Sequence, residues 1–323
     1  MSQQAAAATN ADEHTFAAAI LSFSYSFIQY YRQFSSMTID PTKVSTAELF
    51  GYLTTAVAPR PVCFASTIDK AGNVNLSPFS FFNVFSANPP MMVFSPSRRV
   101  RDGSTKHTLE NVLEVPEVVI NIVNYPIVEQ MSLASTEYDK GVNEFEKAAL
   151  TQVQSEVVGP PRVGESPVAF ECVVDRVIPL GDGPGAGNLI LARVVMAHIN
   201  EDYLDENGKL DTRKLDLIAR MGGSDYCRAT PESLFEIPKP ILTKGIGIDG
   251  LPPYIRNSTI LTGNNLGRLG NVEHLPQPTD IAKVVDPTTY REIKAKGPEA
   301  IHRLAQNYLE QGRTWEALCW LVG

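Results

Sequence analysis

Between Pro59 and Pro90 the chain reads PRPVCFASTIDKAGNVNLSPFSFFNVFSANPP, and short polar side chains alternate there with aromatic rings. Ser66, Thr67, Asn75, Ser77, Ser80 and Asn83 carry small hydrogen-bonding groups, while Phe79, Phe81, Phe82 and Phe85 carry flat apolar surface. Such a mixture builds either a core strand with capped ends or the wall of a pocket for a flat ligand. A second stretch, SPSRRVRDGSTKHTLEN from Ser95 to Asn111, gathers Arg98, Arg99, Arg101 and Lys106 with Ser95, Ser97, Ser104, Thr105 and Thr108. The whole chain has a formal net charge of -8, so this is a local cationic patch on an acidic protein. A helix predicted to start near Thr108 adds free N–H groups and the positive end of a dipole. Guanidinium or ammonium charge with hydroxyl donors suits a phosphate monoester. A solvated charged loop would carry the same residues, but the patch directly follows the aromatic stretch.

Other chemistries find little support. GDGPGAG, Gly181 to Gly187, invites comparison with a dinucleotide loop, which needs a strand before it and a helix after it. The segment that follows, LILARVVMAHI, is β-branched and extended, so the glycines read as a hairpin loop. No P-loop, H-E-x-x-H or G-x-S-x-G pattern occurs, and His14, His107, His198, His274 and His302 are scattered. No catalytic acid–base pair stands out. Cys63, Cys172, Cys227 and Cys319 lie far apart without C-x-x-C or zinc spacing, which predicts free thiols in a reducing compartment and no metal site. The acidic balance argues against nucleic acid as a partner. A planar ring system with a terminal phosphate joins the two informative stretches, and flavin mononucleotide (FMN) fits that description.

The elements that must position these residues are mostly strands. Asp69 to Asn73 is a turn between Pro61–Ile68 and a return run from Val74. Further strands are expected at Met91–Ser95, Val118–Val123, Pro167–Leu180 and Leu189–Ile199. Helices are expected at Thr46–Thr55 with Ser45 as cap, and at Thr108–Leu113, Val128–Leu133 and Asn143–Ala149. Leu210–Arg220 reads as loop and helix. Strands joined by short or irregular links favour a mainly β fold, a β-barrel with helices, over a doubly wound sheet. The domain reading is an N-terminal extension 1–36, a barrel domain 37–237 and a C-terminal extension 238–323. Within 1–36, residues 1–12 read as disordered and 15–34 as a docked amphipathic helix, not a signal peptide or membrane span; Met37 is an alternative native start. Residues 231–290 read as irregular, and Pro298–Val322 as amphipathic helix split at Gly312.

Six segments, PRPVCFASTID, GNVNLSPFSFFN, NPPMMVFSPS, STKHTLEN, VNEFEKAAL and RMGGSDYC, run in order from Ala58 to Cys227. In that order and spacing the chain resembles the flavin reductase-like, FMN-binding split-barrel family, flavoredoxin included. That family usually has K-D-T where this chain has Lys106-His107-Thr108. The resemblance implies a six-stranded antiparallel split barrel with Greek-key connections. It also implies a homodimer with noncovalent FMN near the dimer interface. Carried over, Ser66 and Thr67 lie beside the isoalloxazine, and Asn75, Ser77, Phe79 and Ser80 border the ring and ribityl chain. Ser95, Arg98, Lys106 and Thr108 approach the phosphate, Asn111 supports that loop, and Tyr226 closes the site. The implied activity is hydride transfer from NADH or NADPH to bound or free flavin, in the cytoplasm. An electron carrier without its own nicotinamide site and a non-catalytic flavin-binding or structural protein are the alternatives.

Overall fold

The computed structural model describes residues 36–238 and 240–323. The helix expected within residues 15–34 lies outside the described residues. The chain divides into two compact units, one ending at Leu234 and the other running Phe235–Gly323.

The first unit opens with helix α1 (Thr46–Ala56), whose cap Ser45 accepts the Glu48 N–H at 3.1 Å. Strands follow as β1 (Arg60–Pro61), β2 (Cys63–Ile68), β3 (Val74–Phe79), β4 (Phe82–Ala87) and β5 (Pro90–Phe94). Helix α2 (His107–Glu114) leads into β6 (Glu117–Ile122), then α3 (Val128–Ala134) and α4 (Glu144–Lys147). A small hairpin, β7 (Gln152–Val153) with β8 (Arg162–Val163), precedes the long strands β9 (Val168–Pro179) and β10 (Asn188–Ile199). Short strands β11 (Ile218–Arg220) and β12 (Tyr226–Arg228) form a three-stranded sheet with β1.

The main sheet has seven strands in the order β3-β2-β6-β9-β10-β5-β4, every pair antiparallel. This is one strand more than the resemblance implied; Phe82–Ala87 pairs with β5 as an added edge. The turn after β2 works as its sequence predicts. Asp69 Oδ1 accepts the N–H groups of Ala71 and Asn73, each at 2.9 Å, and Gly72 takes a φ of +85°. The glycine-rich segment is the β9–β10 hairpin loop, with Asn188 opposite Pro179.

The two edge strands of this sheet, β3 and β4, are adjacent in the chain. Only Ser80 and Phe81 separate them. The sheet therefore has to curl until its edges meet. Among the described residues no ladder joins β3 to β4, so the barrel is closed by covalent chain and split at that seam. All seven strands contribute to the enclosed face through Ala65, Phe79, Phe82, Phe94, Ile120, Cys172 and Ile190. Alternate residues of β2 and β3, Phe64 and Leu76, point the other way and pack with Ile127 and Met131 beside α3 and Phe145 on α4. Burial on both faces explains why the β2 sequence is continuously apolar or small. Each fully buried Phe contributes about 1.5–3 kcal/mol.

Two expectations are corrected. Leu210–Arg220 contains no helix beyond turns closed on Asp211; its end is strand β11, paired to β1 and β12. Strand pairing there overrides local pattern. The reading of 231–290 as irregular is overturned only from Pro253 onward, where the second unit holds α5 (Pro253–Arg256), α6 (Gly263–Gly270), α7 (Pro278–Val284) and α8 (Pro287–Lys294). Proline opens three of these helices at the first position, where its missing N–H costs nothing. Helices α9 (Pro298–Glu310) and α10 (Thr314–Val322) flank Gly312 as expected. Leu251, Ile255, Leu269, Leu309 and Leu318 form this unit's own core. No helix among the described residues is long and apolar enough to cross a membrane.

The most deeply buried charged residue of the first unit lies on β9. Glu171 on β9 is fully buried. Its Oε1 accepts the Glu156 N–H at 2.7 Å and meets His198 Nε2 at 2.6 Å; its Oε2 accepts the N–H groups of Val157 (2.7 Å) and Val158 (3.2 Å). Burial pushes its pKa up, but these donors outweigh burial and hold the carboxyl below its ordinary range. A depressed acid stabilises the fold above its unfolded pKa, and that stability is lost as pH falls through the folded value. Glu171→Gln should lose roughly 3 kcal/mol near neutral pH, because an amide turns an NH2 toward backbone donors. In urea titrations the gap from wild type should shrink below about pH 4; a gap constant down to about pH 3 would refute an ionised Glu171.

Candidate functional site

A cleft of about 380 Å³ opens at the seam. Pro78, Phe79, Ser80 and Phe81 form its wall where β3 crosses to β4, and Phe50 and Thr54 of α1 face them. Ser95, Ser97 and Lys106 line it from the loop after β5, and Arg60, Arg220, Met221 and Gly223 complete it. Phe79 is held by the Phe94 ring, 5.3 Å away between centroids. Phe81 meets Phe50 edge-on at 6.1 Å, and the Arg60 guanidinium lies 6.0 Å from its centroid. The seam fixes these rings: the Phe81 carbonyl accepts the Ser95 N–H at 2.9 Å.

The cleft's charge is one-signed. Lys106, Arg60 and Arg220 line it, with no Asp or Glu. Arg60 donates to the carbonyls of Thr54, Val57 (2.7 Å) and Met221 (2.9 Å), tying the end of α1 to the turn after β11. Burial lowers the Arg60 pKa, and the charge of Arg220 lowers it further. Burial also lowers the Lys106 pKa, with Arg99 and Arg220 adding repulsion. Its ammonium lies 5.4 Å from the Phe79 ring centroid. Among the described residues neither Lys106 nor Arg220 makes a salt bridge. Like charges gathered this way lose energy unless an anion joins them.

The residues expected at the site fall into three places. Phe79, Ser80, Ser95 and Lys106 line the cleft. Thr67, Asn75, Thr108 and Asn111 are buried and bond one another. Asn111 Nδ2 donates to Thr67 Oγ1 at 3.1 Å and Asn75 Nδ2 to Thr108 Oγ1 at 3.0 Å. Half-buried Ser77 lies 3.5 Å from that same Asn75 nitrogen. This cluster clamps the start of α2 to the β2–β3 hairpin and so sets Lys106, the N-cap residue of α2. Ser66 is buried on the opposite face of β2 from Thr67, Arg98 holds its own loop by donating to the Gly103 carbonyl at 3.0 Å, and Tyr226 is exposed beneath Arg220.

The cationic loop is less free than its sequence suggests. Arg99 bonds Glu137 at 3.0 Å and Ser104 at 3.1 Å, and Arg101 bonds Asp102 at 3.0 Å. Sequence reasoning passed over Arg60 and Arg220. Their signal was present in the segments PRP, where prolines flank Arg60, and RMGG, where two glycines follow Arg220 and Met221.

Fold and site define a split-barrel protein with a cationic, aromatic-walled cleft at its seam. The flavin reductase like domain matches residues 56–215. The chain is 38% identical to an uncharacterized protein of Halalkalibacterium halodurans over 192 residues, 59% of this chain and 91% of that one. It is 32% identical to nitrilotriacetate monooxygenase component B of Bacillus cereus, whose crystal structure it matches with a TM-score of 0.59 over 63% of this chain and 99% of that one. A protein with a split barrel domain from Shewanella frigidimarina shares the fold at a TM-score of 0.54 and 24% identity, over 63% of this chain and all of that one. The chain belongs to the flavin reductase-like family.

Thr67→Val keeps the shape of the side chain but strips the acceptor from Asn111. It should cost about 1–3 kcal/mol in thermal or denaturant unfolding. Adding Asn111→Leu should cost less than the sum of the two single changes, and strict additivity would dissolve the cluster as a unit.

Proposed function

We propose that the protein is an FMN-binding oxidoreductase of the flavin reductase type, taking hydride from NADH or NADPH. The observation that carries this reading is the seam cleft: aromatic wall, three cations, three serines and no carboxylate, in a chain of net charge -8. Its volume falls in the range of small-molecule and cofactor sites. Lys106 with Ser95 and Ser97 would hold a phosphate, as ammonium and hydroxyl donors do. Phe79 and Phe81 would flank the ring and exclude water, and Pro78–Phe81 backbone would meet its polar edge. When bound, the flavin supplies the hydride-accepting ring. The chain supplies orientation and, through Arg60, Arg220 and Lys106, a positive field over the cleft. No acid–base dyad is required by that division of labour.

The reading extends to a homodimer and a cytoplasmic setting. Val84 and Phe85 on edge strand β4 are 59% and 69% exposed, an apolar edge beside the seam that a second copy would cover. All four cysteines are free.

Purified full-length protein should bind FMN, and Lys106→Ala should weaken binding by about 1.5–3 kcal/mol, the scale of one charged hydrogen bond. An unchanged dissociation constant by fluorescence titration would place the phosphate elsewhere. Anaerobic bleaching of the bound flavin by NADH or NADPH alone supports the reductase. Bleaching only with a partner protein would point to an electron carrier, and failure to take up flavin would end both readings.

A further inference from the structure

The β7–β8 hairpin and the adjoining ends of β9 and β10 enclose a second cleft, about 390 Å³, that shares no residue with the seam cleft. We infer that this cleft is a binding site for a small oxyanion, the phosphate or carboxylate group of a second ligand. Its polar side chains are Arg162, Ser166, His198 and Asn200, and no carboxylate lines it.

The donors there outnumber their partners. Arg162 spends Nε and Nη2 on one carbonyl, that of Gln154, at 3.4 and 3.1 Å, which leaves Nη1. Asn200 uses its side-chain oxygen to accept the Asp202 N–H at 3.0 Å, and its Nδ2 bonds nothing among the described residues. The Ser166 hydroxyl is buried and has no partner among the described residues. Unpaired buried hydroxyls are rare because each forfeits its bond to water. The side-chain acceptor of Asn200 is already taken, and what remains free are N–H and O–H groups beside a guanidinium. That inventory recognises an acceptor-rich anion.

His198 is built in rather than incidental. Four donors fill the lone-pair directions of the Glu171 carboxylate, so it accepts from His198 Nε2, and that nitrogen carries a proton. The other nitrogen, Nδ1, has Glu156 Oε1 as its recorded neighbour at 3.9 Å, beyond hydrogen-bond reach. A buried, saturated carboxylate thus orients the ring and leaves Nδ1 unbonded; on the neutral ring that nitrogen is an acceptor, suited to a protonated ligand oxygen such as the hydroxyl of monohydrogen phosphate.

The site is independent of the flavin reading. Isothermal titration of full-length protein with inorganic phosphate, and separately with succinate, should show one bound anion per chain for at least one of them. The tighter of the two tells a phosphate ligand from a carboxylate ligand. Arg162→Gln should weaken binding at least tenfold and Ser166→Ala severalfold. Asn200→Asp retains the cap on Asp202 but adds a negative charge, and should abolish binding. Lys106→Ala, in the seam cleft, should leave this binding unchanged. The inference is overturned if neither anion binds, or if folded Arg162→Gln and Asn200→Asp, checked by circular dichroism, bind as wild type does.

Discussion

A two-residue link governs the architecture of the first unit. Ser80 and Phe81 join β3 and β4, which stand at opposite edges of a seven-stranded sheet. A flat sheet of that width spans about 30 Å from edge to edge, and two residues reach about 7 Å. The sheet has to close on itself, and closing it creates an enclosed face fed by every strand. The same link cannot pair like a hairpin, because β3 and β4 arrive without a shared ladder. The gap that results is the cleft, and the residues of the link are its wall. Barrel closure and cleft formation are therefore one event.

The cleft's charge follows from how its neighbours spend theirs. In the loop after β5, Arg99 and Arg101 are neutralised by Glu137 and Asp102, while Arg98 is tied down by the Gly103 carbonyl. Lys106 escapes because it caps α2 at a point where acids are absent from the lining. Arg60 is consumed as a staple between α1 and the turn after β11, yet carbonyl partners leave its net charge in place. A guanidinium tied to carbonyls still projects its field, whereas one tied to a carboxylate does not.

Local signals carried most of the barrel. The Asp69–Asn73 turn, the Ser45 cap and the long β9–β10 pair each rest on contacts within a few residues or on simple alternation. What could not be read was which edge meets which, because that is set by the closure of the whole sheet. Arg60 and Arg220 escaped for the same reason: β1 and β11 are distant in sequence and meet only by pairing. Thr67, Asn75, Thr108 and Asn111 were legible as important polar residues, but residue type alone does not separate a group that faces a ligand from one that aims its neighbour. The helices of 253–294 were hidden by their prolines, which mark a break in mid-helix and a start at its first turn.

Two buried polar clusters of the first unit differ in a way that matches what lies beside them. Behind the seam cleft the clamp on α2 is made of amides and hydroxyls, all neutral. Near the second cleft it is an ionised carboxylate, Glu171, saturated by four donors. A carboxylate about 4 Å from Lys106 would offset the ammonium by about 4 kcal/mol at an effective dielectric near 20, and the cleft would lose the field that draws an anion. Neutral groups fix the same geometry without that cancellation. Glu171 can be charged because its lone pairs are filled by backbone N–H groups and the histidine ring, which favour the ionised form while leaving its net charge in place. Choice of polar glue, as much as choice of lining residue, sets the field in each cleft of this barrel.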